Sequence, residues 1–210
     1  MAGKAGIWKT ILELDRFVFT TREIAALAGS SVSAMTQGLA RLEKAGILKK
    51  VLRGVWALSG DRRFSAFDVV PFLDAGRLCY VSFVSAMHAH GMISQIPQLI
   101  TVAATSHGRR ISTPVGTFLV HQIGPELFRG YDWSRNGRFL IAEPEKALID
   151  SLYIASRRGR RYSAFPEIEF QRGFSKARAR GWLEEIKDPA LRKSVGFKLE
   201  KVLSAKAARR

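Results

Sequence analysis

The fold is decided by residues 20–46, TTREIAALAGSSVSAMTQGLARLEKAG. Thr20 and Glu23 have the spacing of a capping box, in which each side chain accepts a hydrogen bond from the other residue's amide as a helix begins. Gly29 tolerates the left-handed conformation that ends a helix, and either of the two serines after it can cap the next one. The segment therefore predicts two helices joined by a tight turn, the second of them over residues 32–44.

The two predicted helices have separate apolar and polar faces. The residues expected to face the core are Ile24, Leu27, Val32, Met35, Leu39 and Leu42. The opposite face of the longer helix carries Ser33, Gln37, Ala40, Arg41 and Lys44. Helical residues three and four apart share a face, so this separation indicates a helix that is packed on one side and open on the other.

A further helix is predicted before this pair, over residues 6–15, and a hairpin after it. Residues 47–52 and 55–58 are short apolar runs, and Arg53-Gly54 between them is typical of a turn that needs positive φ. This order predicts a winged helix-turn-helix, whose second paired helix enters the major groove of DNA. Some winged domains bind only proteins, so the fold alone leaves that alternative open.

The exposed side chains suit double-stranded DNA. Glutamine pairs with adenine and arginine with guanine in the major groove, whereas lysine pairs with backbone phosphates. The DNA-binding candidates are Ser33, Gln37, Arg41 and Lys44 on the helix, with Lys49, Lys50 and Arg53 on the hairpin. Glu43 is the only acid on that helix, and a basic surface favours a polyanionic partner.

The charge of the whole chain also favours a polyanionic partner. Its net charge is +16 over 210 residues, with 47% hydrophobic residues that suffice for a folded core. The excess of positive charge is +5 over residues 1–60, +1 over residues 61–156 and +10 over residues 157–210. A nearly neutral middle between two basic ends indicates that the ends contact a polyanion while the middle has another task.

A domain boundary is expected at residues 59–63, where the chain is polar and turn-rich. The predicted division is a winged domain over residues 1–60 and a larger domain over residues 61–210, of which 157–210 form a basic helical extension. Strands are expected at 99–104, 116–122 and 139–142, and helices at 67–75, 82–90, 144–155, 176–186 and 189–203. The predicted fold class is α+β, a mixed α/β architecture.

The chain resembles the AbiE-type antitoxin family of bacterial abortive-infection systems. The matching segments of the winged domain are residues 19–29, 46–48 and 54–58, and those of the second domain are 82–91, 116–118 and 141–150. The resemblance extends over about residues 5 to 158, and the order Glu-Lys-Ala-Leu-Ile-Asp at 145–150 is its most distinctive part. The basic segment after Arg157 is not covered by these motifs.

The resemblance implies a protein with two separable activities. The winged domain would repress the protein's own operon by binding its promoter DNA, and the second domain would neutralise a co-encoded nucleotidyltransferase-like toxin. In this family such neutralisation is described without a stable complex, so direct contact with the toxin is left open. The antitoxin-function candidates in the matching segments are Ser82, Ser85, His90, Glu145, Lys146 and Asp150.

An enzymatic interpretation of the acids around the lysine at 146 is weaker. Glu145 and Lys146 could suggest a nuclease, but Pro144 is typical of a helix start, where neighbouring side chains point to different faces. Acids near a helix N-terminus are also favoured by the helix dipole. No catalytic residue is therefore expected, and a nucleic-acid-processing enzyme remains the weakest alternative.

Metal and cofactor chemistry is not indicated either. His88 and His90 lie about 200° apart around a helix and cannot share a metal ion. His107 and His121 have no ligand partner at suitable spacing, and Cys79 suits buried packing better than nucleophilic use. No metal and no cofactor are predicted.

The remaining expectations concern location and the basic extension. A single cysteine, no signal segment and no apolar run of membrane-spanning length predict a cytoplasmic protein with no membrane partner. The extension from Arg157 is interpreted as a nucleic-acid-contacting surface rather than a solubilising one. Its aromatic residues are interpreted as packing anchors: Tyr162, Phe165, Phe170, Phe174 and Trp182. The main alternative to the antitoxin is a transcription factor whose second domain senses a ligand or dimerises.

Overall fold

The computed structural model describes residues 4–74, 76–157 and 166–205. The chain divides into two compact units, one formed by residues 1–73 with 112–116 and the other by residues 74–111 with 117–210. The predicted boundary at residue 60 remains a prediction. The mixed α+β class expected from the sequence is confirmed, because helices accompany two separate sheets.

The first unit contains the predicted helix pair and hairpin. Its elements are α1 (Lys4–Glu13), β1 (Val18–Thr20), α2 (Thr21–Leu27), α3 (Val32–Lys44), β2 (Lys49–Leu52) and β3 (Val55–Ala57). The three strands form an antiparallel sheet in the order β1-β3-β2. The interpretation of the β2–β3 hairpin as a wing remains a prediction.

Local capping explains where these helices begin and end. The capping box is present, since Thr20 Oγ1 accepts from the Glu23 amide at 3.2 Å and the Thr20 amide donates to the Glu23 carboxylate at 2.6 Å. Ser31 caps α3 by accepting from the Ala34 amide at 3.2 Å. Gly29 and Gly54 have φ of 57° and 73°, as the two turns require.

The core of this unit joins all three helices to the sheet. Its buried members are Ile7, Ile11, Phe19, Ile24, Ala25, Met35, Leu39, Leu42, Leu48 and Trp56. Two residues predicted to face the core do not do so: Leu27 is 60% exposed and Val32 is 48% exposed. They are the last residue of α2 and the first of α3. Helical periodicity gives a direction around the axis but cannot tell a helix end from its packed middle.

The second unit contains most of a six-stranded mixed sheet, since residues 112–116 are grouped with the first unit. The strands of this sheet are β4 (Cys79–Val81), β5 (Ile100–Ala104), β6 (Arg109–Thr113), β7 (Gly116–Gln122), β8 (Tyr131–Trp133) and β9 (Leu140–Ala142), in the order β6-β7-β5-β4-β9-β8. β4 pairs with β5 antiparallel and with β9 parallel, which makes it a central strand. The sequence did not predict β4, β6 or β8, because β4 and β8 have only three residues and β6 is largely polar.

The helices of this unit are α4 (Phe83–Ala89), α5 (Pro144–Arg157), α6 (Lys176–Gly181) and α7 (Pro189–Ser204). Two predicted helices have a different form. The helix expected at 67–75 is a 3-10 segment of the first unit, Ala66–Phe72, with Pro71 inside it, and α6 continues as a 3-10 turn, Trp182–Glu185. Proline cannot donate the backbone hydrogen bond that an α-helix needs in its interior.

The C-terminal helices belong to the core of the second unit. α5 packs against α4 on one side and against α6 and α7 on others. On α7, Val195, Leu199 and Leu203 are buried. The described part of the predicted basic extension is therefore integral to the domain, although residues 158–165, including Tyr162 and Phe165, lie outside the described residues.

None of the helices in the described ranges is long and apolar enough to cross a membrane.

Candidate functional site

The outer face of α3 presents the side chains that were predicted to read DNA. Ser33, Gln37, Arg41 and Lys44 are all exposed. The core-facing residues Met35, Leu39 and Leu42 hold the helix in place from the other side. The structure thus places the four helix candidates on one open surface, with their side chains accessible to a ligand.

The hairpin adds the basic candidates beyond the helix. Lys49, Lys50 and Arg53 are exposed, and the Lys50 ammonium lies 5.8 Å from the centre of the Trp56 ring. The Glu43 carboxylate accepts a hydrogen bond from the Lys50 amide at 3.2 Å. The single acid of α3 is therefore directed to the backbone of the hairpin.

A buried hydrogen-bond brace ties the hairpin to the start of α2. The Trp56 indole donates to Thr21 Oγ1 at 2.8 Å, and the Thr21 amide donates to the Gly54 carbonyl at 2.9 Å. Both side chains are buried. Thr21 and Trp56 are 35 positions apart, so the sequence contains no local signal of their contact.

In the second unit, three of the six antitoxin-function candidates, Ser82, Lys146 and Asp150, meet Tyr80. We call these four residues the buried lysine cluster. Lys146 Nζ donates to Asp150 Oδ1 and, at 3.0 Å, to the Tyr80 hydroxyl. Asp150 Oδ2 accepts from Ser82 at 2.7 Å and from Tyr80 at 3.1 Å. All four residues are 0% exposed.

Burial determines the electrostatics of the buried lysine cluster. It lowers the pKa of the Lys146 ammonium, and the negative charge of Asp150 acts in the opposite direction. It raises the pKa of the Tyr80 hydroxyl well above the ordinary value, and Asp150 adds to that rise. The cluster is thus a fully desolvated ion pair whose carboxylate receives two further hydroxyl donors.

Aromatic rings cover the cluster. The Trp182 ring centre lies 5.3 Å from Lys146 Nζ, and the Arg129 guanidinium lies 5.5 Å from the same ring. Tyr80 stacks on Tyr131 with ring centres 4.4 Å apart. A Cβ atom at Gly130 would clash with the Trp182 ring. Trp182 was predicted as a packing anchor, and it packs here, whereas Tyr80 carried no signal in the sequence.

The other three antitoxin-function candidates lie outside the buried lysine cluster. The buried Glu145 carboxylate accepts from the Ser175 amide at 2.5 Å and from Arg178 at 2.9 Å, which joins α5 to the start of α6. Ser85 and Thr101 exchange hydrogen bonds between each backbone amide and the other's hydroxyl, at 3.1 and 2.8 Å.

His90 contacts strand β9, because its Nε2 lies 2.7 Å from the carbonyl oxygen of Ala142. Glu145, Ser85 and His90 therefore link neighbouring elements of the second unit rather than converging on one site.

The remaining side chains to consider are possible metal ligands and the nucleophile Cys79. Among the described residues, no group of three or more histidine, cysteine or acidic side chains could hold a metal ion. Cys79 is buried in the central strand β4, and burial raises the pKa of its thiol to about 12. A thiol with so high a pKa is a poor nucleophile near neutral pH.

A short helix pair with an exposed second helix, followed by a hairpin, is the arrangement of helix-turn-helix domains. Residues 9–59 match the family model described as transcriptional regulator, AbiEi antitoxin. The resemblance expected from the sequence is thereby confirmed for this segment, which is less than half of the chain. The segments at 82–91 and 141–150 lie outside the matched range. No curated protein matches the chain.

Proposed function

We propose that this protein is a cytoplasmic, DNA-binding autorepressor that also serves as the antitoxin of a co-encoded nucleotidyltransferase-like toxin. The first unit would bind promoter DNA of the protein's own operon, with Gln37 and Arg41 contacting bases near Ser33. Lys44, together with the three basic residues of the hairpin, would contact phosphates. The second unit would carry the antitoxin activity.

The observation that carries this proposal is the open face of α3 beside a basic hairpin. The face is polar and exposed, and the one acid of the helix bonds to the hairpin backbone. Major-groove recognition needs an accessible helix with hydrogen-bonding side chains, flanked by cations that neutralise phosphates. The family match over residues 9–59 supports the same interpretation.

Two substitutions in the full chain distinguish base contacts from phosphate contacts. Arg41→Ala should weaken binding to a duplex selected from a random pool by about 1–3 kcal/mol and reduce sequence preference. Lys49→Ala should weaken binding to selected and random duplexes alike. The matched control is Lys9→Ala, which removes an exposed cation of α1 that is paired with Glu13. Equal losses on both duplexes for Arg41→Ala would contradict the base-reading role.

The contribution of the C-terminal cations requires substitutions rather than truncation. Truncation after residue 156 would remove α7 and uncover its buried contacts with α5. Alanine at the exposed residues Lys187, Lys193 and Lys201 preserves the helices. If these cations contact DNA, each should flatten the slope of log K against log salt by about 0.9. An unchanged slope would assign this surface to another partner.

The antitoxin role is tested by co-expression with the adjacent open reading frame. The full chain should rescue cells from a toxin encoded there, and the Arg41→Ala variant should rescue equally well while failing to repress. If Arg41→Ala lost rescue together with DNA binding, the toxin would be controlled only through repression of its promoter. Absence of any rescue would favour the transcription factor whose second domain senses a ligand or dimerises.

The contacts of Glu145, Lys146 and Asp150 support a structural rather than an enzymatic role for them. Lys146 and Asp150 are fully buried and bonded to each other, and Glu145 is bonded across to α6. A substrate would reach none of these side chains in this conformation. Lys146→Ala would remove a buried cation and is therefore a poor probe of rescue.

A further inference from the structure

Two side chains at the beginning of α3 form an exposed apolar strip. Val32 was expected in the core by its spacing, yet it is 48% exposed. Thr36 follows one turn later on the same side of the helix and is also exposed. Its hydroxyl donates to the Val32 carbonyl at 2.8 Å, so the hydroxyl is satisfied within the helix. The group that Thr36 can offer to a ligand is therefore its methyl.

The strip forms one edge of the same surface that carries the polar candidates. At about 100° per residue, Val32 and Thr36 lie on one margin of the exposed arc, Arg41 lies on the other, and Ser33 and Gln37 lie between them. The surface thus changes from apolar to basic across the width of one helix. The apolar margin is at the N-terminal end, which is the part of a recognition helix that contacts base edges.

We infer that Val32, together with the methyl group of Thr36, contacts the C5-methyl group of a thymine in the major groove. The thymine methyl is the apolar group among the base-edge features of that groove, and small apolar side chains recognise it. The inference rests on the proposed DNA-binding function and names a base that it reads. Gln37, about 100° around the helix from Thr36, suits adenine, so the two contacts together select A·T base pairs.

Charge complementarity decides between a duplex and an apolar protein partner. The exposed arc of α3 that has the strip at one margin also carries the cations Arg41 and Lys44, and residues 1–60 carry an excess of +5. A partner that covered the whole arc would also have to neutralise these cations. A DNA duplex does both, because its phosphates flank the groove in which the methyl group lies.

The test removes one methyl group at a time from the DNA. A duplex is selected from a random pool with the full chain, and each thymine is then replaced in turn by deoxyuridine, which lacks only the C5-methyl group. Binding of the wild-type chain should fall about fourfold at one or two positions, as expected for loss of one buried methyl. The same replacements should leave the affinity of Val32→Ala unchanged.

Two further variants make the comparison specific. Thr36→Ser keeps the hydroxyl that bonds to Val32 but loses the methyl, so its sensitivity to deoxyuridine should fall between wild type and Val32→Ala. Leu12→Ala is the matched control, because Leu12 is a comparably exposed apolar side chain at 56%, on α1. It should keep the full fourfold effect. Circular dichroism should report equal helix content for all variants.

The outcomes separate this inference from the proposed function. A selected duplex with no methyl-sensitive thymine, or a Val32→Ala variant that keeps the wild-type sensitivity, would overturn the thymine contact while leaving DNA binding intact. Failure of the chain to select any sequence would overturn both. Impaired toxin rescue by Val32→Ala with unchanged DNA binding would assign the strip to a protein partner and overturn the inference.

Discussion

Replacing either charged member of the buried lysine cluster should destabilise the second unit strongly. Removing one partner of a buried ion pair leaves an uncompensated charge and costs about 3–5 kcal/mol. In Lys146→Met, Asp150 keeps its two hydroxyl donors, Ser82 and Tyr80, so the loss should lie near about 3 kcal/mol. In Asp150→Leu, the ammonium keeps only the Tyr80 oxygen and aromatic faces, so the loss should approach about 5 kcal/mol.

The double variant Lys146→Met with Asp150→Leu should cost less than the sum of the two single variants, by at least about 2 kcal/mol. It contains no buried charge, although the hydroxyls of Ser82 and Tyr80 lose their acceptor and keep part of the penalty. The coupling between the two substitutions is therefore the measure of the ion pair. Two additive single effects would mean that the pair is not formed in solution.

The pH dependence of the stability of Asp150→Leu gives a second, independent test of the buried Lys146 amine. Burial lowers the pKa of Lys146, and this variant also removes the carboxylate that opposes the lowering. The folded state then disfavours the protonated amine, whereas the unfolded chain keeps it until near pH 10.5. Its stability should therefore rise relative to wild type between pH 7 and about 10. A constant difference over that range would contradict a buried amine at position 146.

Urea unfolding, combined with hydrogen exchange of peptides from α5, measures these effects. Exchange in α5 is needed because two units need not unfold together, and a single transition would mix them. Lys193→Met on the exposed side of α7 is the matched control, with an expected change within about 0.5 kcal/mol. Losses below about 1 kcal/mol for both cluster variants would refute the cost assigned to a fully desolvated pair.

Three other substitutions test separate contacts. Thr21→Val leaves the Trp56 indole without its acceptor and should destabilise the first unit by about 1–3 kcal/mol, measured by urea unfolding followed by tryptophan fluorescence. Gly130→Ala introduces a Cβ at a φ of 75° against the Trp182 ring and should accelerate hydrogen exchange in residues 176–185; unchanged exchange would mean that the ring moves at no cost. Burial raises the pKa of the Cys79 thiol from 9.0 to about 12. The free energy of unfolding that the protonated thiol contributes is therefore fully present below pH 9, and it is lost as the pH rises towards 12. The wild type should lose about 1.4 kcal/mol per pH unit there from this thiol, and equal slopes for Cys79→Ala would contradict that assignment.

The sequence predicted those parts of the fold that local chemistry determines. The capping box at Thr20 and Glu23 located the start of α2, and the glycine at 29 located its end. The turn at Gly54 located the hairpin. Leu27 and Val32 were assigned wrongly, because their burial depends on which neighbouring element covers a helix end. The same limitation hid β4, a three-residue strand whose identity as a central strand comes from its partners β5 and β9.

The buried lysine cluster illustrates why a charged pair four residues apart is ambiguous in sequence. Lysine and aspartate at that spacing are typical of a solvated helix surface, where such a pair contributes about 0.3–0.5 kcal/mol. Lys146, Asp150 and Arg157 also share one side of α5, so its sequence has the polar face of an amphipathic helix, which is expected to meet water. In the structure, Tyr80, Ser82 and Trp182 cover this side of the helix at Lys146 and Asp150. The burial of the two charges therefore depends on contacts with residues distant in sequence, which residues 144–155 alone do not reveal.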